Sequence, residues 1–303
     1  MSLDADALID RKRLKRRLGW WRVLAIIAVV AAVIASIDPF DTPWKKRHNA
    51  RLAVSGNNSE DLDRNAALEK IAEDDNVKAL ILHINSPGGT VVGGEVLYRN
   101  LRLVAGKKPV VVVMGTLAAS GGYMAALGGD HILAQNGTIT GSIGVILQTT
   151  DITGLLDKIG ISAEAIKSGP LKAVPSPLEP LTDKVRAEIL KVVLDMHDMF
   201  VDLVAERRDM SRAEALGFAD GRIFTGRQAQ ANRLIDAIGG ENEALAWLEE
   251  THKISKTLPV RDVRIKRERR KWLDWLTEMT GKTLFSERLT LDGLVSLWHP
   301  NGN

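Results

Sequence analysis

The chain has 303 residues, 45% of them hydrophobic and 26% charged, an ordinary balance for a folded protein that excludes wholesale disorder. It contains no cysteine, which excludes disulfides, cysteine nucleophiles, thiolate zinc sites and iron–sulfur clusters together. The net charge of +3 is unevenly divided: residues 1–49 carry 10 basic and 5 acidic side chains, residues 253–303 carry 11 and 6, and the acidic body between them carries 20 and 27, which argues against a nucleic-acid partner.

The chain opens with a basic run, Arg11-Lys-Arg-Leu-Lys-Arg-Arg17, followed by Trp20-Trp21 and an uncharged apolar stretch from Val23 to Ile37. Trp20 to Ile37 is 18 residues, or ~27 Å as a helix, close to the ~30 Å hydrocarbon layer. Basic residues before the stretch, with Asp38 and Asp41 after it, orient the amino end inward. Trp20, Trp21 and Trp44 are candidate interfacial anchors. The expectation is a cytoplasmic segment (1–19), a transmembrane anchor (20–37) and a linker (38–47), with the rest exported. Two alternatives stand beside it: a signal peptide cleaved near Val33-Ile34-Ala35, which also exports the body, and a helix of a soluble core.

From about Arg51 short apolar runs alternate with amphipathic stretches. Leu62–Ala72 reads as a helix and Val77–Ile84 as a strand that ends at Asn85-Ser-Pro-Gly-Gly89, where proline and two glycines stop the ladder. Val91–Val104 reads as a helix, and Pro109–Met114 as a strand buried on both faces. His131–Gln135 and Val145–Gln148 read as further strands, separated by glycine-rich turns through Thr140–Gly144. A long helix is expected from Thr182 to about Arg208, with Val185, Ile189, Val192, Met196, Met199 and Leu203 on one face. This order predicts an α/β domain with parallel strands joined by crossover helices. Past residue 251, Arg264-Ile-Lys-Arg-Glu-Arg-Arg-Lys271 precedes Trp272, Leu273, Trp275, Leu276 and Met279 at helical spacing. That basic amphipathic region suits a membrane-surface or docking helix, or equally a helix packed on its own domain.

Two glycine-rich turns follow the buried strands: Ser86-Pro87-Gly88-Gly89 and Ala118-Ala119-Ser120-Gly121-Gly122-Tyr123. A nucleophilic serine needs an exposed hydroxyl on a tight turn with backbone N–H groups nearby for the oxyanion. Ser120 has small neighbours on both sides, although Ala118 stands where the nucleophile elbow has glycine. A turn or helix-cap serine reads the same way. None of the six histidines lies in a turn-rich polar setting fit for a base, and there is no His-Glu-x-x-His zinc motif. Lys172 is held in a Pro/Gly-stiffened segment, Lys167-Ser-Gly-Pro-Leu-Lys172-Ala-Val-Pro-Ser-Pro177, with no acidic neighbour before Glu179. Sheltered from water, a lysine amine can lose its proton and act as a base; an exposed loop lysine is the plain alternative. Gly281-Lys282-Thr283 looks like the end of a phosphate loop, but Leu276 occupies the place of its first glycine.

Five ordered segments carry a resemblance: Leu80-Ile-Leu-His-Ile-Asn-Ser-Pro-Gly-Gly-Thr90, Ala118-Ala-Ser-Gly-Gly-Tyr123, Thr138-Ile-Thr-Gly-Ser-Ile-Gly144, Lys172 to Pro177, and Ala219-Asp-Gly-Arg-Ile-Phe-Thr-Gly226. Over residues 48–250 the chain resembles the signal peptide peptidase A family, membrane-anchored serine–lysine proteases of the ClpP/crotonase superfamily. The resemblance implies Ser120 as nucleophile, Lys172 as general base and Ser142 as the serine that orients the lysine. It implies an oxyanion hole from Gly121 and one of Gly88 or Gly89. It further implies signal peptides as substrates, no cofactor, a homo-oligomeric ring in which the lysine reaches a neighbour's serine, and a bacterial inner membrane location with the catalytic domain outside. A crotonase-fold acyl-CoA hydratase or hydrolase, and a non-catalytic membrane scaffold, are the rival readings of such a fold. Export argues against the first, and the intact Ser120, Lys172 and Ser142 argue against the second.

Overall fold

The computed structural model describes residues 15–30, 47–265 and 294–297. It divides into a unit up to Lys46 and a unit from Arg47 onward. In the first, residues 15–30 form a helix, α1, exposed along its length. The expected anchor falls only partly on it, since 31–37 lie outside the described residues, as does the stretch Trp272–Met279. Among the described residues no helix is long and apolar enough to cross a membrane.

The second unit is an α/β domain. Its first half runs β1 (His48–Ser55), α2 (Leu62–Glu73), β2 (Val77–Ser86), β3 (Gly88–Thr90), α3 (Val91–Ala105), β4 (Val110–Ala119), α4 (Gly121–Ala126), β5 (His131–Ala134), β6 (Ile139–Gly141) and β7 (Ile146–Leu147). The second half runs α5 (Thr153–Lys158), α6 (Asp183–Arg207), α7 (Arg212–Leu216), β8 (Ile223–Thr225), α8 (Gly226–Ala231), β9 (Ala237–Ile238), α9 (Glu241–His252), β10 (Val260–Asp262) and β11 (Leu294–Leu297).

The main sheet has the order β10-β1-β2-β4-β5-β9, every pair parallel. Its central strands alternate strictly. Leu80, Leu82, Ile84, Val110, Val112 and Met114 enter one core with residues of α2, α3, α4 and α6. Ala79, Ile81, Val111 and Val113 enter a second core beneath Ala244 and Leu248 of α9. Helices on both faces explain why these strands read as continuous apolar runs, and β-branched valines suit the pleat. Helix starts follow side-chain chemistry: Asp61 accepts from the Arg64 N–H at 2.9 Å, and Thr90 from the Gly93 N–H at 2.9 Å.

Three expectations need correction. The domain is not purely parallel. β6 continues the sheet beside β4, and β8 pairs with β6 antiparallel. The chain enters β8 where β6 ends, with the Gly221 N–H on the Ile143 carbonyl, so the two strands must run in opposite directions. A separate three-stranded sheet, β3-β11-β7, is wholly antiparallel. The strands β2 and β4 also run further than their apolar cores, to Ser86 and Ala119, because β6 gives the end of β4 a new neighbour. Finally, α6 starts at its Thr182 cap as expected, and of the expected face Val185 is buried and Met196, Met199 and Leu203 pack against the core, but Phe200, Val201 and Val204 are its most deeply buried side chains and Val192 is 45% exposed.

Candidate active site

The site assembles where β2 and β4 end. β4 runs from a valine-rich core into Ala118-Ala119 and stops at Ser120, the N-cap position of α4. Ser120 is 1% exposed and has φ 55° and ψ −121°, a conformation that glycine adopts freely and other residues rarely. It makes no side-chain cap hydrogen bond to the helix, so capping does not explain the serine. Its backbone is held by neighbours: the Ser120 N–H donates to the Gly141 carbonyl at 2.8 Å, and the Met124 N–H donates to the Ser120 carbonyl at 2.9 Å. Strain over-determined by its surroundings is a mark of functional turns.

Glycines let three backbone segments close on this turn. A Cβ on Gly122 would lie 2.9 Å from the Ser86 carbonyl oxygen, and one on Gly94 would lie 3.1 Å from the Gly121 carbonyl oxygen. The strand β3 is pinned from behind by Asn58, whose N–H donates to the Gly88 carbonyl at 2.7 Å and whose carbonyl accepts from the Thr90 N–H at 3.1 Å. A Cβ on Gly89 would fall 2.0 Å from that Asn58 oxygen, so only glycine fits. The Gly88 N–H points to Ser86 Oγ at 3.2 Å, and Ser86 Oγ donates to the Gly56 carbonyl at 2.6 Å. Because backbone groups alternate along a strand, the N–H and carbonyl of Gly89 face away from Asn58, toward β11.

Ser142 follows β6 and is nearly buried, with φ 50°; its N–H donates to the Arg222 carbonyl at 2.8 Å. Thr140 Oγ1 donates to the Ala118 carbonyl at 2.6 Å, tying the Ser142 strand to the Ser120 strand. Thr138 Oγ1 does the same to Gly115 at 2.7 Å. Ser120, Gly121, Gly88, Gly89 and Ser142 therefore lie on neighbouring turns. Lys172 does not join them within one chain. It is exposed, on a turn in which its own N–H donates to the Gly169 carbonyl at 3.1 Å. An ion pair of 2.6 Å between Lys167 and Glu179 closes that loop. Beside it a cavity of about 170 Å3 is lined by Leu171, Val174, Pro175, Ser176, Glu179 and Val185.

Four histidines are committed elsewhere. His83 Nε2 lies 2.7 Å from Glu241 Oε2, and His197 Nε2 lies 2.7 Å from the Ala219 carbonyl. His131 stacks on Trp247 at 4.8 Å between ring centroids, and His252 meets the same indole edge-on. Among the described residues no cluster of His, Asp and Glu could hold a metal ion. Sequence reasoning passed over Asn58, Thr140 and Arg222, because their parts in the site are hydrogen bonds to distant backbone. The one local hint was the Gly56-Asn57-Asn58 turn before α2.

A serine in a strained conformation at a strand-to-helix turn, followed by two glycines, is an arrangement that can present a nucleophile on an α/β sheet. The sequence profile of Peptidase family S49 matches residues 102–255. A protein of Synechocystis sp. provisionally named a protease is 40% identical over 70% of this chain and 76% of its own length. A provisionally named signal peptide peptidase of Enterococcus faecium is 38% identical over 62% of this chain and 55% of that protein. The chloroplastic serine protease SPPA of Arabidopsis thaliana is 34% identical over 75% of this chain, which spans only 34% of that longer protein. The chain belongs to peptidase family S49 and is a serine protease of that family.

Proposed function

We propose that the protein is a membrane-tethered endopeptidase that degrades cleaved signal peptides at the outer face of a bacterial inner membrane, using Ser120 and Lys172 as a catalytic dyad. The single observation that carries the reading is the Ser120 turn: a buried, strained serine between Ala119 and Gly121, where a cap or a core residue gains nothing from the strain. The parallel sheet with this turn at the carboxyl end of β4 fits the ClpP/crotonase class that the resemblance implies.

Ser120 Oγ attacks the scissile carbonyl while the uncharged Lys172 amine takes its proton. The Gly121 N–H and an N–H of Gly88 or Gly89 hold the oxyanion. The protonated lysine then passes its proton to the leaving amine, and water, activated by the same amine, hydrolyses the acyl-enzyme. Ser142 orients the lysine. The exposure of Lys172 in a single chain supports a dyad formed between copies, in which the lysine of one chain reaches the serine of the next. The name of the Enterococcus faecium relative and the apolar stretch at residues 23–37 support signal peptides as substrates and the tether.

The test is incubation of the full chain in detergent with a synthetic signal peptide, reading fragments by mass spectrometry. Wild type is expected to cut within the apolar stretch of the peptide, and Ser120→Ala and Lys172→Ala to lose cleavage with unchanged thermal unfolding. Cleavage at the wild-type rate by Ser120→Ala overturns the assignment.

A further inference from the structure

Among the described residues Arg64 is the single charged residue that is buried, at 5% exposure. Its own helix does not explain it. Arg64 stands at the third position after the Asp61 cap of α2, where a capping box has glutamate or glutamine. A cation there faces the positive end of the helix dipole, and burial adds the cost of desolvating the charge. The bonds of the guanidinium point elsewhere. It reaches back past the helix start, where Nη1 donates to Asn58 Oδ1 and Nη2 to the Ser59 carbonyl, each at 2.9 Å. A planar fork of donors fixes two acceptors at once, which the point charge of an ammonium does not.

On its other side the Asn58–Ser59 segment has no slack. A Cβ on Gly93, in the first turn of α3, would fall 2.3 Å from the Asn58 oxygen and 2.9 Å from the Ser59 Cα, and one on Gly89 would fall 2.0 Å from the same oxygen. Backbone therefore rests on backbone, and a shift of Asn58 carries β3 with it. The Asn58 N–H holds the Gly88 carbonyl at 2.7 Å. That carbonyl shares one planar trans peptide with the Gly89 N–H, so holding the first aims the second in the opposite direction. The aim needs holding, because Gly88 has φ 114° and glycines on both sides leave this peptide free to turn. The Gly88 N–H is directed to Ser86 Oγ at 3.2 Å, so Gly89 is the member of the pair whose aim Asn58 sets.

We propose that Arg64 is a positioning residue for the oxyanion hole: through Asn58 it keeps the Gly88–Gly89 peptide turned so that the Gly89 N–H serves the oxyanion formed at Ser120. The inference rests on the protease reading above. It adds the choice of Gly89 over Gly88 and a residue that touches neither substrate nor nucleophile. An oxyanion donor acts on the transition state more than on the bound peptide, so misaiming it lowers kcat and leaves KM.

The experiment uses the full chain, a fluorogenic apolar peptide, and a peptide boronate whose serine adduct places a hydroxyl where the oxyanion forms. Arg64→Met keeps the apolar stem and removes both bonds, and Asn58→Leu removes the acceptor with little change of volume. Each is expected to lower kcat at least about tenfold with KM within about twofold, and to weaken boronate binding by a similar factor. The double variant should be no worse than the worse single one, because both break the same linkage. Asn58→Asp keeps the acceptor, and the amide nitrogen it replaces is buried without a partner among the described residues. It should bind the boronate at least about tenfold more tightly than Asn58→Leu. Urea unfolding reports whether each variant is folded, and if Arg64→Met is not, the two Asn58 variants decide. Unchanged kcat and boronate affinity in the folded variants overturn the inference while the protease stands. A loss carried by KM, or an equal loss in Asn58→Asp and Asn58→Leu, does the same. If wild type itself neither cleaves the peptide nor binds the boronate, the protease reading fails and takes the inference with it.

Discussion

Ser120 holds a backbone conformation that costs a non-glycine residue about 1–3 kcal/mol, and its hydrogen bonds to the Gly141 carbonyl and from the Met124 N–H keep it there. Ser120→Gly removes the Cβ that makes φ 55° costly. The expected outcome is a protein without peptidase activity that is more stable by about 1 kcal/mol, a rise in Tm of about 2–4 °C for a domain of this size. Calorimetry of the two chains checks it, and a lower Tm would show that the turn is not strained. His131 tests a different balance. Burial against Trp247 pushes its imidazolium below the ordinary histidine range, the Arg208 cation adds to this, and Asp236 opposes it. The folded state thus favours the neutral ring. Its contribution to stability is complete above the unfolded value near 6.5 and is lost as the pH falls through that value toward the lower folded one. Wild type should lose Tm between pH 7.5 and 5.5, and His131→Gln should lose measurably less over the same interval.

At the scale of elements, α4 is a six-residue helix that must hold Ser120 at one end, and it is clamped at the other. Arg207 of α6 donates through Nε to the Leu127 carbonyl at 2.8 Å and through Nη2 to the Gly129 carbonyl at 2.9 Å. Arg102 of α3 reaches the Gly128 carbonyl at 3.2 Å. Leu127 is the C-cap of α4, and Gly128 and Gly129 follow it directly, so these bonds fix the exit of the helix. The buried Tyr123 hydroxyl adds a bond to the Leu234 carbonyl at 2.8 Å, and desolvation pushes that phenol above its usual range. Arg207→Met keeps much of the stem's packing and removes both bonds. It should cost about 1–3 kcal/mol of stability. Because α4 is then free to shift, kcat should fall at least about tenfold, the penalty of a misplaced reacting group. KM for a peptide substrate should change little, since Arg207 lies at the far end of α4 from Ser120. Urea unfolding and steady-state kinetics on the same variant separate the two effects.

At the largest scale, the unit from Arg47 onward has two cores, and its stretch from α5 to the first half of α6 adds little to either. In α5 no residue is buried, and Leu155, Ile159, Ile161, Leu171 and Leu178 are exposed, with Ile166 at 99%. The first half of α6 leaves Leu190, Val192 and Leu194 outward. A run of exposed apolar groups of this extent marks an association surface, and Lys172 stands within it. If the dyad forms between copies, mixing two inactive chains, Ser120→Ala and Lys172→Ala, must restore part of the activity, because some neighbours then pair an intact serine with an intact lysine. Absence of any recovery in exchanged, co-refolded mixtures would place the dyad within one chain. Ile166→Asp is expected to shift the protein to smaller species in analytical ultracentrifugation and to lose activity in parallel.

Much of the site was legible because its signals are local. Proline and glycine end β2, a small-residue turn follows β4, Thr182 caps α6, and valine runs demand burial on both faces; each is set by a few adjacent side chains. The sequence by itself therefore determined the α/β class, the central strands β2, β4 and β5, and the turn that holds Ser120. Tertiary structure alone decided what depends on partners distant along the chain. The antiparallel pairing of β8 follows from where the chain re-enters the sheet, and the most deeply buried side chains of α6 from which turns pack against the core. The exposure of Lys172 in one chain was decided there too, and the pairing of β11 with β3 and β7 joins residues more than a hundred positions apart. Local propensity has no access to such contacts, since the free energy that selects them arises only when the surfaces meet.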